Sequence, residues 1–180
     1  MTLRPGVARG EETPLEPRGA HVWRAVAPAG TAVVEIEGGP SFSGPAYCDE
    51  NAGVEGLERG FQGWNWSRTA KPDGTAVLYD VTTRAGEDLR WGRFYGKDGS
   101  VREFDPQVEV PLGSAGWRVS RRTRSSMPGG ARVERTMVAS PFYSRSLLRV
   151  DGNDGAHVAV HERLDITRFE AGWVRFLLPW

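Results

Sequence analysis

The sequence predicts an all-β fold, an antiparallel meander closed or nearly closed into a barrel. Three observations carry that expectation. Twenty-three glycines and twelve prolines in 180 residues interrupt the chain too often for helices of ordinary length. The runs between them are short, rich in β-branched and aromatic residues, and mixed on their two faces. Many of the separators are turn signals, such as KPDG at 71–74 and DGNDG at 151–155, which send one strand back beside the last. A meander of about eight to ten such strands most simply loses its open edges by closing.

Taken in order, residues 1–19 hold three prolines and three glycines without periodicity and are expected as a mobile lead-in. A single domain then spans 20–180. Its first strand covers 20–27 and puts His21 and Trp23 on one face. PAG turns the chain into a β-branched strand at 31–37, which GGP ends. Within SFSGPAYCDEN, Tyr47, Asp49 and Asn51 occupy alternate positions and share a face if the run is extended. VEGLERGF, 54–61, is the best short helical segment. WNWSRT then sets Trp64 and Trp66 on one side of a strand. The strand at 75–83 presents Val77, Tyr79 and Val81 to one side and Leu78, Asp80 and Thr82 to the other. Further strands are expected at LRWGRFYG, VREFD, 116–123, 131–139, 142–150, 156–166 and 173–178.

Bulk chemistry narrows the function. Lys and Arg equal Asp and Glu at 23 each, so no electrostatic footprint for nucleic acid exists. Cys48 stands alone, which excludes an internal disulfide and argues against a cysteine-ligated metal; its thiol is expected to pack away from the Tyr47 and Asp49 face. MTLRPGVARG lacks the apolar core of a secretory leader, and FLLPW is too short to span a bilayer. The expected location is the cytoplasm. His157 and His161, four apart in a strand, are separated by roughly 13 Å and cannot share a metal ion. Arg118, Arg122 and Arg124 share a face, read as solvated, with weak attraction to anionic lipid head groups as the functional alternative.

Two pairs then stand out, His21 with Trp23 and Tyr47 with Asp49. If their faces meet inside an apolar pocket, desolvation favours a protonated carboxyl, and the surrounding rings stabilise a cation. Such parts suit protonation of an alkene and capture of the carbocation. They suit a passive carrier of a long apolar ligand equally well.

HVWRAVAP, the YxDxNxG run at 47–53, LERGFQGWNWSR, AVLYDV, SPFYSRSLL and HERLDITRF occur here in the order found in the carotenoid 1,2-hydratases, also called hydroxyneurosporene synthases. The sequence resembles that family over about 20–180. Family members carry a long region ahead of the His-x-Trp strand that this sequence lacks, so the match is to the C-terminal, lipocalin-like portion. The resemblance implies a lipocalin-like barrel that adds water to the terminal double bond of an acyclic carotenoid, needs no cofactor and holds no metal. It also implies an apolar small-molecule substrate and peripheral contact with the inner membrane.

On that resemblance, Asp49 is the general acid, Trp23 and Tyr47 face the cation, and Asn51 or His21 positions the water. Trp64, Trp66 and Tyr79 line the polyene tunnel. Asp80 is the reserve acid, and Arg68 pairs with an acid such as Glu58. A carrier of apolar ligands and an isoprenoid cyclase using the same pocket remain the alternatives.

Overall fold

Side-chain alternation along one large sheet organises the molecule. The computed structural model describes residues 1–4, 6, 10–105 and 108–178; part of the expected lead-in and the last two residues of FLLPW lie outside that range. Among the described residues, three antiparallel sheets form. The largest contains β5 (Phe61–Lys71), β6 (Gly74–Thr83), β7 (Asp88–Gly96), β8 (Val101–Phe104), β11 (Ala131–Ala139), β12 (Tyr143–Gly152) and β13 (Gly155–Asp165). Its order is β11-β12-β13-β5-β6-β7-β8.

The sheet has two chemically different faces because successive side chains point to opposite sides. Trp64, Trp66, Val77, Tyr79 and Val81 enter the main apolar cluster, where they meet Trp23, Phe61 and Tyr95. Asn65, Asp80 and His161 turn the other way. There the Arg122 amide donates to Asn65 at 3.3 Å, Arg124 donates to Asp80 at 3.0 Å, and His161 Nε2–H donates to the Arg122 carbonyl at 2.8 Å.

Each face is covered by a smaller sheet. The first receives the long ribbon of β3 (His21–Glu35) and β4 (Ser41–Gly53). The second receives the hairpin of β9 (Val108–Ser114) and β10 (Ser120–Ser125), with Val110 and Leu112 packed on Leu148 and Ala159. The helices are short: α1 (Leu57–Gly60), α2 (Ile166–Phe169) and α3 (Gly172–Leu177). None among the described residues is long and apolar enough to cross a membrane.

The antiparallel all-β expectation holds, in the form that stops short of closure. β8 and β11 remain the edges of the large sheet, and the two covering sheets bury its faces. Other expectations change. Part of the lead-in is built into the fold: β1 (Thr2–Arg4) and β2 (Thr13–Pro14) both pair with β3, and Leu15 and Glu16 are buried. The turn expected at PAG is a double irregularity inside the continuous β3, between Ala25 and Gly30. An irregular register accommodates Pro28, which has no N–H to give a ladder.

The strand expected at 116–123 begins only at Ser120. Before it, Gly116–Arg118 forms a 3₁₀ turn in which Trp117 and Arg118 take left-handed φ values of 61° and 56°. β9 has no counterpart among the expected strands, since Pro111 argues against one; it is tolerated because β9 pairs on one side only. The strand expected at 173–178 is the helix α3. Its apolar residues 173, 174, 176 and 177 satisfy helical spacing as well as strand spacing, and periodicity alone cannot separate the two over so short a run.

Burial first, then the Arg121 and Arg163 charges, lowers the His161 pKa to about 4, against 6.5 for a free imidazole, despite its bond to the Arg122 carbonyl. The native imidazole therefore stays neutral where the unfolded one takes up a proton. Its stabilising contribution is complete above pH 6.5 and is lost as pH falls toward 4. At about 1.4 kcal/mol per pH unit that is roughly 3 kcal/mol. Unfolding titrations of His161→Gln should show a shallower pH slope across this window than the parent protein. Leu15→Ala should cost about 2–5 kcal/mol in denaturant unfolding, as expected for a side chain inside the core.

Candidate active site

β3 supplies the first wall. Its inward positions carry His21, Trp23 and Ala25, all buried. β4 runs antiparallel beside it with Trp23 opposite Asn51 and Ala25 opposite Asp49. The small Ala25 leaves space beside Asp49, and the indole of Trp23 reaches it diagonally across the ladder. Trp23 Nε1–H donates to Asp49 Oδ2 at 2.8 Å. Tyr47, two residues along the same strand face, donates its hydroxyl to the same oxygen at 2.9 Å. Oδ1 receives neither bond.

Rings pack around Trp23 and Tyr47, the two donors to this half-buried carboxyl. The Trp23 centroid lies 5.0 Å from Trp91 and 5.9 Å from Tyr79, and Tyr79 lies 5.1 Å from Trp91. Tyr47 packs on Trp66 at 5.7 Å. Tyr79, across the sheet from β4, donates its hydroxyl to Asn51 Oδ1 at 3.2 Å. Arg68 stands over the Tyr47 ring at 5.3 Å, its Nε buried without a hydrogen-bond partner among the described residues, and burial holds its pKa below the ordinary value. Burial and then the Asp49 charge push the Tyr47 and Tyr79 phenols far above their usual range. Both remain hydrogen-bond donors at any ordinary pH.

The structure thus brings together Trp23, Tyr47 and Asp49 directly, Asn51 through Tyr79, and Trp66 through Tyr47. Trp64 joins the same cluster farther along, edge-on to Phe61 at 5.6 Å. His21 is separated. It lies opposite Gly53, four residues along β3 from the Ala25–Asp49 pair, or roughly 13 Å by strand rise. His21 Nε2–H donates to the Glu55 carbonyl at 3.1 Å, and Nδ1 faces Glu16 at 3.9 Å. Gly53 and Gly60 flank the ring so closely that an added Cβ would lie 2.5 and 3.0 Å from it. This histidine ties the Glu16 segment to the α1 turn and lies too far along β3 to position a water at Asp49.

Other candidates move too. Asp80, the reserve acid, is on the opposite face, held by Arg124 at 3.0 Å and Arg122 at 3.6 Å. Those two arginines also meet Glu109 in a salt-bridge network, whereas Arg118, the third of the expected stripe, stays exposed. Arg68 rests on Tyr47 and does not pair with Glu58, whose carbonyl accepts from Arg84. Cys48 is partly buried. The sequence reading missed Trp91 and Tyr95. Their alternation in LRWGRFYG was a usable signal, and Trp91 sits directly opposite Tyr79 in the ladder.

Among the described residues no three His, Cys, Asp or Glu side chains gather as a metal-binding group. A mainly apolar crevice of about 310 Å³, lined by Leu57, Glu58, Phe142, Leu164, Ile166 and Phe169, adjoins the main apolar cluster through Leu164 and Ile166. The chemistry on offer is one carboxyl with two neutral donors fixed on one oxygen, beside π faces that attract a cation by about 0.5–2 kcal/mol.

The family described as carotenoid hydratase CrtC matches residues 1–180. The acyclic carotenoid 1,2-hydratase of Thiocapsa roseopersicina is 38% identical over 178 residues, covering 97% of this chain and 44% of that protein. The enzyme of the same name from Cereibacter sphaeroides is 33% identical over 171 residues, covering 95% of this chain and 61% of that one. The chain thus spans about half the length of the curated relatives it matches. A solved structure of an AttH protein from Nitrosomonas europaea superposes with a TM-score of 0.54 at 14% identity, over 92% of this chain and 59% of that one. At that identity the likeness concerns the lipocalin-like fold alone.

Tyr95 and Tyr143 are also shifted upward, chiefly by burial. An ultraviolet titration of the native protein should therefore show little tyrosinate near pH 10, where a free phenol is half ionised. The signal of all four tyrosines should appear at that pH only on unfolding.

Proposed function

The chain belongs to the carotenoid hydratase family, and from that premise we propose that it adds water to the terminal double bond of an acyclic carotenoid or related isoprenoid by acid catalysis. The observation that supports this reading best is the convergence of Trp23 Nε1–H and Tyr47 O–H on one oxygen of Asp49. A protonated carboxyl has one oxygen that accepts and one that donates. With Oδ2 accepting twice, Oδ1 is left as the oxygen through which a proton would pass to the substrate.

The reaction then follows. Asp49 Oδ1–H protonates the less substituted alkene carbon, the π pair forms the new C–H bond, and the charge falls on the tertiary carbon. The π faces of Trp23, Tyr79 and Trp91 stabilise that cation, and the bonds from Trp23 and Tyr47 stabilise the carboxylate left behind. Water attacks the cation and gives a proton back to Asp49. The sum is addition of one water with no change of redox state, so no electron-carrying cofactor is required. Tyr79 occupies Asn51 Oδ1 and leaves the Asn51 amide N–H groups to orient the water. Trp64 and Trp66 extend the wall along which the polyene lies, and His21 acts only by holding the α1 turn. The substrate dissolves in bilayers, so the protein works against a membrane surface.

Lycopene incubated with the protein in heavy water separates the alternatives by mass spectrometry. A hydratase installs a hydroxyl and a carbon-bound deuterium together. A cyclase yields a product without added oxygen, and a carrier returns the ligand unchanged. Asp49→Asn should lower turnover by about 10²–10⁴-fold while substrate still quenches tryptophan fluorescence. Full turnover in that variant would remove Asp49 from the mechanism.

A further inference from the structure

A second feature lies outside the ring cluster. Helix α3 buries only Val174; Trp173, Phe176 and Leu177 are half or more exposed. These three stand at i, i+3 and i+4 and so share one outward face. Trp117, itself 53% exposed, stacks on Trp173 with centroids 6.4 Å apart. Trp117 and the adjacent Arg118 are the residues in left-handed backbone conformation noted above, which side chains other than glycine rarely adopt. Arg168 on α2 holds them there: its guanidinium donates to the Trp117 carbonyl at 2.7 Å and the Arg118 carbonyl at 3.1 Å while lying 6.0 Å over the Trp173 ring. The fold thus maintains an unfavourable backbone in order to present an aromatic pair to solvent.

Cations rim this patch. Arg118 and Arg175 are exposed, and among the described residues no acid pairs with Arg118, Arg168 or Arg175; the nearby Glu170 is engaged by Arg84.

We propose that the face formed by Trp117 and α3 docks the protein onto an anionic lipid bilayer. Indoles favour the head-group region, Phe176 and Leu177 enter the acyl boundary, and the arginines meet lipid phosphates. A second copy of the chain fits this face poorly, because a two-fold contact would set one arginine rim against another. The proposal draws its purpose from the apolar substrate proposed above, whereas the docking itself rests on these exposed side chains.

Cosedimentation with vesicles of phosphatidylglycerol and phosphatidylcholine, against phosphatidylcholine alone, tests it. The parent chain should bind the anionic vesicles, less so as salt rises. Trp173→Ser combined with Phe176→Ser, and separately Arg118→Glu combined with Arg175→Glu, should each weaken binding about tenfold or more. In the parent protein, brominated acyl chains should quench indole fluorescence, a readout that needs no variant. Absence of binding to anionic vesicles, or equal binding by parent and both variants at unchanged melting temperature, overturns the proposal. So does a dimer that the Trp173 variant dissociates without any effect on vesicle binding. Turnover of detergent-dispersed lycopene should be the same in these variants as in the parent, which separates this surface from the assignment of Asp49.

Discussion

The hydrogen bond from the Trp23 indole to Asp49 joins the largest fully buried side chain among the described residues to the half-buried carboxyl of the candidate site. It exists only in one register of the β3–β4 ribbon. A slip of one residue would turn Tyr47, Asp49 and Asn51 away from the large sheet together, because strand side chains repeat every two positions. The irregularity around Ala25 to Gly30 and the fully buried Trp23 fix that register, one by interrupting the ladder at a defined point and the other by having nowhere else to go. The ring wall, the donor pair on Oδ2 and the Tyr79–Asn51 contact all depend on it.

The opposite face of the sheet shows what buried polar groups look like when they serve structure. Arg121 is almost fully buried, and its guanidinium reaches Thr136, Ser146 and the carbonyls of Leu112 and Ser114. Asp80 is locked by two arginines, and His161 by a carbonyl. These groups are buried more deeply than the half-buried Asp49, and each finds protein partners within a polar network. Around Asp49 the partners are neutral donors and π faces. Environment distinguishes the two sites, and the one that leaves an acid facing rings is the one suited to a cation.

Much of the site was legible in the one-dimensional pattern. Alternation placed Trp23 with His21, Tyr47 with Asp49 and Asn51, and Tyr79 with Val77 and Val81, and each set does share a face. It also put Asp80 on the side away from Tyr79. Alternation says nothing of distance along a strand: His21 shares the face of Trp23, yet four residues of ladder separate it from the partner of Asp49. Nor does it say which strand comes next in space. Only the β6–β7 pairing sets Trp91 against Tyr79, and only the packed layers give Arg68 an aromatic face in place of an acid close in sequence.

By itself, the sequence determined that this chain is a sheet protein, since glycine and proline break it too often for anything else, and which side chains lie together on each strand. It also carried the family. Tertiary structure alone decided that the large sheet stays open, that residues near the start complete its core, that the final apolar run is a helix, and which acid meets the rings. The division has one cause. Facing is a local consequence of backbone geometry, written into every pair of residues, whereas pairing order and partner choice depend on contacts between residues far apart in the chain and exist only once the layers have packed.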